Sequence, residues 1–260
     1  MLCVRKHTRI MENKRFFAFG CSYTQYIWPT WADIIGQPYR DNYYNYGQAG
    51  AGNIFIFNML MQADQLHKIS KDDLVIIQWA STLREDRYQN KEWITKGAGY
   101  FDKLFDMRGY LLRDLALIKA STALLKNIGC EFYFISMCGL GPAIDLNDVN
   151  FKPADIDQDV SILFKDVLDS ILPSFYDVLG SYSNRPLLLR DNVYLKDSHR
   201  IPSEHLEYIK KILPSMEVDE KFVKEADKQV FENYQEKDYI FWWVHGQSVF
   251  YNGRHYIKRL

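Results

Sequence analysis

Apolar residues fall into two kinds of run along this chain. Three are short and continuous: FFAFG at 16–20, LVIIQW at 74–79 and EFYFISM at 131–137. The clearest, 74–79, lacks the apolar–polar alternation of a strand with one wet face, so it is predicted to be a central parallel strand covered on both sides, with 16–20 a buried strand and 131–137 another strand. A shorter strand is predicted over 43–46. Between these runs apolar residues recur at helical spacing. Helices are predicted over 27–35, where Trp28, Trp31 and Ile35 share a face and Pro29 sits in the first turn. Others are predicted over 54–66 and over 110–127, the latter with Gly129 as C-cap. Further helices are expected over 158–172, 203–213 and 217–236.

The connecting segments differ in character. Residues 80–108 exceed an ordinary strand–helix loop and are expected to form an insertion with some helix, over the site or an interface. Segments 143–157 and 181–200 read as irregular. Beyond 236 the chain turns aromatic, with IFWWV and SVFY before Asn252-Gly253 and RHYI. Asn-Gly between such runs predicts a β-hairpin. Strands alternating with helices predict an α/β fold, a three-layer α/β/α sandwich around a mainly parallel sheet. The expected division is a core domain over 13–214 and a C-terminal extension over 215–260, helix then hairpin, packed on it.

Composition narrows the function classes. Hydrophobic residues make up 47% of the 260, too many for a disordered chain. The 32 basic and 33 acidic residues are mixed along the chain, so no strong field points to nucleic acid or an acidic membrane. The four cysteines form no CxxC pair, which argues against a disulfide framework or a zinc cluster. The first apolar run is too short for a signal peptide or membrane span. A cytoplasmic protein needing no metal or cofactor is the expectation.

Ligands of parallel sheets gather beyond the C-terminal strand ends. Small and polar residues cluster there: 20–24, 47–53 and 80–87. Ser22, just past the first strand, is placed either to cap a helix or to act as a nucleophile beside a helix N-terminus. A nucleophilic serine needs a base. His199 with Asp197 two residues before it supplies base and orienting acid; His205 competes as base and Asp191 as acid. The glycines of 45–53 let backbone approach a ligand. That loop is not a GxGxxG after the first strand, and it lacks GK[ST], which argues against dinucleotide or P-loop binding.

Taken together, these blocks resemble the SGNH/GDSL hydrolase superfamily. Gly20-Cys21-Ser22 matches the first block, Asn45 to Gly50 the second, and Asp197-Ser198-His199, with Pro202 following, a shortened last block. The resemblance spans roughly residues 16–214. It implies a flavodoxin-like sheet, Ser22 as nucleophile, His199 as base, Asp197 as acid and the Gly50 N–H in the oxyanion hole. The third block, Gly-x-Asn-Asp, has no clean counterpart in Gln78 to Arg84. Ser81, Thr82 or Asn53 can stand in as donors, and Arg84 or Arg87 can reach substrate.

The implied activity is a serine esterase removing an acyl group, such as O-acetyl, from a sugar or other small polar compound. An acyltransferase with the same acyl-enzyme and a non-catalytic binding protein are the rival readings. Homo-oligomer formation is expected through the aromatic tail. Catalysis by the serine requires Ser22 Oγ within about 3–3.5 Å of a His199 ring nitrogen.

Overall fold

A computed structural model describes residues 14–97, 100, 106–140, 158–180 and 199–233. The main sheet contains β1 (Phe16–Phe19), β2 (Tyr43–Asn45) and β3 (Leu74–Trp79). A hairpin of β4 (Arg84–Gln89) and β5 (Glu92–Gly97) follows, and β6 (Glu131–Ser136) returns to the main sheet. The strand order is β2-β1-β3-β6 and every pairing is parallel. Two of the continuous apolar runs form the sheet centre, where every residue of β1 and β3 is buried, and the third, β6, is an edge strand. Rings stack across β1 and β2 in register, Phe16 on Tyr43 at 5.2 Å, Phe17 on Tyr44 at 4.8 Å and Phe19 on Tyr46 at 5.3 Å. Such cross-strand pairs fix register as well as burying area.

The helices are α1 (Trp31–Gly36), α2 (Asn53–His67), α3 (Met107–Ile128), α4 (Gln158–Leu163), α5 (Lys165–Leu168), α6 (Phe175–Leu179), α7 (Pro202–Ile212) and α8 (Glu220–Asn233). One layer pairs α2 with α3; the other joins α1, α7 and α8. Phe55, Ile56, Met59, Leu60 and Ala63 form the buried stripe of α2, and Leu111, Leu115, Ile118 and Leu125 that of α3. The architecture is the expected three-layer α/β/α sandwich with a flavodoxin-like parallel sheet. No described helix is long and apolar enough to cross a membrane.

Three local expectations are corrected. The first helix begins at Trp31, not near Ile27, because the Asp33 carboxylate accepts the Thr30 N–H at 2.8 Å and caps it there; Pro29 lies outside it. The insertion after β3 is an antiparallel hairpin in its described part. Asn90 and Lys91 at its tip both have positive φ, 53° and 67°, the geometry that matches hairpin twist. The predicted helix 158–172 breaks into α4 and α5. Ile171 then bridges Phe134 in parallel, and Leu172 N–H reaches the Phe134 carbonyl at 2.9 Å. These bonds satisfy part of the outer edge of β6, an edge that otherwise presents unpaired backbone. Of the C-terminal extension, α8 is described and packs on α7; the predicted hairpin and any contact it makes lie outside the described residues.

The β4–β5 hairpin is fastened to the core by Asp86. Its buried carboxylate accepts the Gly52 N–H and the Phe55 N–H, both at 2.9 Å, and the Thr95 hydroxyl at 2.5 Å. It therefore caps α2 from another element. Asp86→Ala leaves buried donors unsatisfied and is expected to cost about 3 kcal/mol, read as a shift in urea denaturation. Thr95→Ala, which removes one contact only, should cost about 1 kcal/mol. Equal stability of Asp86→Ala and the parent would rule out this anchor.

Candidate active site

The chain leaves β1 toward β2 on one side and β3 toward β6 on the other. Sheets of this kind open a crevice where the order reverses, beyond the C-terminal ends of the two central strands. Gly20 to Gln25 and Ala80 to Thr82 are the loops at that point.

The first loop is a tight turn. The Cys21 carbonyl accepts the N–H groups of Thr24 at 2.9 Å and Gln25 at 3.0 Å. Thr24 Oγ1 folds back onto Gln78 Oε1 at 2.9 Å, and Cys21 Sγ approaches the same oxygen at 3.6 Å. Gly20 is required here: a Cβ on it would stand 2.0 Å from Thr24 Oγ1 and 2.9 Å from Gln78 Oε1. Ser22 sits inside this turn, 6% exposed, and its Oγ makes no hydrogen bond among the described residues. The expected bond to His199 is therefore not formed. Catalytic hydrogen bonds are often long in unliganded enzymes and tighten with substrate.

The glycine loop is tied to this turn. Asn45 donates from Nδ2 to the Thr24 carbonyl at 2.9 Å and accepts the Gly47 N–H at 2.8 Å. Gln48 N–H donates to the Gly20 carbonyl at 3.0 Å. Gly50 adopts φ +81° with open space around it, a conformation that favours glycine. Neither the Ser22 nor the Gly50 N–H has a hydrogen-bond acceptor among the described residues. Both remain available to an oxyanion.

His199 reaches the turn through aromatic packing. Its ring stacks on Tyr26 at 3.8 Å and lies 5.9 Å from Tyr23, the neighbour of Ser22. The next residue pins the segment. The Arg200 carbonyl accepts Trp28 Nε1 at 2.7 Å, and its guanidinium bonds Glu204 at 2.7 Å and the Gly180 carbonyl. Asp197 and Asp191 lie outside the described residues. His205, the competing base, is a core residue. It is 1% exposed and packed against Tyr23 and Phe175. Burial, with smaller contributions from the nearby Arg200 and His199, pushes its pKa down to about 3, so it stays neutral.

The loop after β3 holds the remaining candidates. Ser81 Oγ accepts the Leu83 N–H at 3.2 Å. Thr82 Oγ1 is buried with no partner among the described residues. Asn53 is wholly buried and engaged: Nδ2 donates to the Ala80 carbonyl at 3.1 Å and to Asp114 at 2.7 Å, while Oδ1 accepts the Ala80 N–H at 2.8 Å. It clamps the start of α2 to the end of β3. Arg84 donates to the Ala51 carbonyl at 2.7 Å. Arg87 is exposed and pairs with Glu85 at 2.9 Å.

Several supporting residues escape a reading of the sequence. Gln78 interrupts an apolar strand, and a polar residue within such a run is a usable signal. Tyr23, Tyr26, Trp28 and Arg200 carry none beyond their proximity to Ser22 and His199.

No family model matches the chain, and no curated protein does. Among solved structures it is similar to a member of the lipolytic protein G-D-S-L family from Veillonella parvula DSM 2008. That likeness has 14% identity and a TM-score of 0.40, and covers 76% of this chain and 95% of the other. It is also similar to a mutant of an acetyl-xylooligosaccharide esterase from Geobacillus Stearmophilus, at 13% identity and a TM-score of 0.40, covering 79% and 94%. Likeness at this level says nothing of substrate or chemistry.

Asp114, under the Asn53 clamp, makes a pH prediction. Burial raises its pKa to about 6, against the opposing pull of Arg113 and Asn53. The folded protein then holds this proton better than the unfolded chain does. The stability gained is full below about pH 4 and is lost as pH rises through 6. Asp114→Asn removes the titration. From pH 4 to pH 7 the parent should lose about 3 kcal/mol relative to that variant, measured by urea denaturation at each pH. Parallel stability profiles would contradict the raised pKa.

Proposed function

We propose that this protein is a serine hydrolase that removes an acyl group, O-acetyl in the simplest case, from a sugar or other small polar alcohol. One observation carries the reading. The His199 ring packs on Tyr26 and lies beside Tyr23, residues of the same short segment as Ser22, whose Oγ has no hydrogen bond among the described residues. This packing supports a nucleophile and a base, distant in sequence, meeting near the sheet's switch point.

In this mechanism substrate closes the gap between Ser22 and His199. Ser22 Oγ attacks the ester carbonyl as His199 accepts its proton. The N–H groups of Ser22 and Gly50 stabilise the oxyanion of the tetrahedral intermediate. Collapse expels the alcohol, which takes the proton from His199 and leaves Ser22 acylated. Water, deprotonated by His199, then attacks the acyl-enzyme. The acid leaves and Ser22 regains its proton. Asp197, matched to the family's acid by sequence resemblance, orients the imidazole and stabilises its charged form.

A fluorophosphonate probe tests the nucleophile. The parent should be labelled and Ser22→Ala should not. Equal labelling of both would reject Ser22. In ester turnover, His199→Ala should lower kcat by about 10³-fold or more, while a neutral change at the buried His205, such as His205→Gln, should act mainly on stability.

A further inference from the structure

Arg84 stands at the foot of the β4–β5 hairpin and is held at both ends. Its carbonyl accepts Arg113 Nη2 at 3.2 Å, and its own Nη1 donates to the Ala51 carbonyl, next to Gly50, at 2.7 Å. No carboxylate pairs with it among the described residues. The acids beside it are engaged elsewhere, Glu85 with Arg87 and Asp86 with the start of α2 and Thr95.

The Arg84 charge also acts on Cys138, after β6, and on Tyr176 of α6. Burial, the dominant effect, raises both their pKa values, Cys138 to about 12, while Arg84 pulls each down. Both groups are therefore neutral near pH 7 and cannot balance the guanidinium. The place of Arg84 in the cleft is fixed by the bond to the Ala51 carbonyl, one residue past Gly50. Arginine carries five donors in a planar fork that matches carboxylate and phosphate oxygens. One of these is used on Ala51. A half-buried cation held this way, with no carboxylate partner among the described residues, is matched by an anion on the ligand. A transient oxyanion would leave it unmatched in the ground state.

We propose that Arg84 is an anion subsite of this cleft, and that the ester cleaved at Ser22 carries a carboxylate or phosphate group that Arg84 receives. The ester half rests on the serine-hydrolase reading; anion binding does not.

Calorimetry on Ser22→Ala protein, which cannot turn substrate over by the proposed route, isolates binding. Methyl glucuronide and methyl glucoside 6-phosphate are compared with neutral methyl glucoside. At least one anionic ligand should bind about tenfold or more tighter than the neutral one, and the tighter of the two names the anion. Arg84→Gln in this background should abolish the preference. Arg84→Lys, which keeps the charge and loses the fork, should retain part of it and serves if the glutamine variant unfolds. Equal binding of neutral and anionic ligands, or a preference that survives Arg84→Gln, overturns the subsite.

With the parent enzyme, mono-O-acetylated forms of the same sugars should show the anion preference in KM. An Arg84→Gln loss confined to kcat, equal for neutral and anionic esters, would make Arg84 an oxyanion donor and overturn the proposal as well. Anion preference with no labelling at Ser22 would sink the hydrolase reading alone. Labelling with no anion preference would sink the subsite alone.

Discussion

The chain leaves β1 and, within a few residues, folds back on the strand it has left. Thr24 Oγ1 meets Gln78 Oε1 from the neighbouring strand, and only a residue without a side chain fits at Gly20 beneath that contact. The other site elements are tied to this turn. The Thr24 carbonyl accepts Thr30 Oγ1 and Asn45 Nδ2, which joins α1 and the glycine loop to it. The Gly20 carbonyl takes Gln48. Tyr23 is driven into the core against Phe175 and His205, which sets where the Ser22 side chain emerges. A residue at position 20 with a Cβ would therefore disturb the Ser22 turn and the glycine loop together. A buried hydrogen bond of ordinary strength gains this reach because several elements share its two residues.

The chain around Gly50 is held by a second set of contacts that begins in the hairpin. Asp86 caps α2, Asn53 ties the same helix end to Ala80, and Arg84 holds the Ala51 carbonyl. All three act on the chain just after Gly50. The described part of the insertion thus braces the start of α2 and the loop before it. Its buried Asp86 bonds backbone N–H groups of the core and the Thr95 hydroxyl across the hairpin. Asn53 illustrates the consequence. Its position made it a plausible donor to substrate, yet its amide is consumed in holding α2 to β3.

What was legible in the sequence follows from which forces leave a pattern. Central strands buried on both faces must be continuously apolar, so β1 and β3 were readable, as was the apolar run of the edge strand β6, and the three-layer fold with them. The stripes of α2 and α3 were readable for the same reason. The hairpin was not: REDRYQ has no alternation, and its tip is Asn-Lys rather than Asn-Gly. The break between α4 and α5 depends on the edge of β6, which local spacing cannot reveal. In the site, Ser22 and Gly50 were visible through turn chemistry and order along the chain. The burial of His205 and the support of His199 by Tyr26 and Trp28 were not, because both arise from elements meeting across the α1–α7 layer.

The aromatic content bears on substrate recognition in a way composition alone obscures. Fifteen per cent aromatic residues invites the thought of rings stacking on a sugar. Several of the described rings are spent on packing the core. Phe16, Phe17 and Phe19 stack on the tyrosines of 43–46, and Phe175 stacks on Tyr208 at 3.6 Å and packs against Tyr23 and His205. Tyr26, the ring that borders His199, has one face on the imidazole and Trp28 against it at 4.7 Å. Stacking thus already holds the His199 ring. Among the described residues, the groups around Ser22 and Gly50 left without partners are polar: two backbone N–H groups, with a guanidinium tethered nearby through one of its donors. Selectivity built from such groups discriminates by charge and hydrogen bonding, where a missing partner is penalised more heavily than a missing methylene.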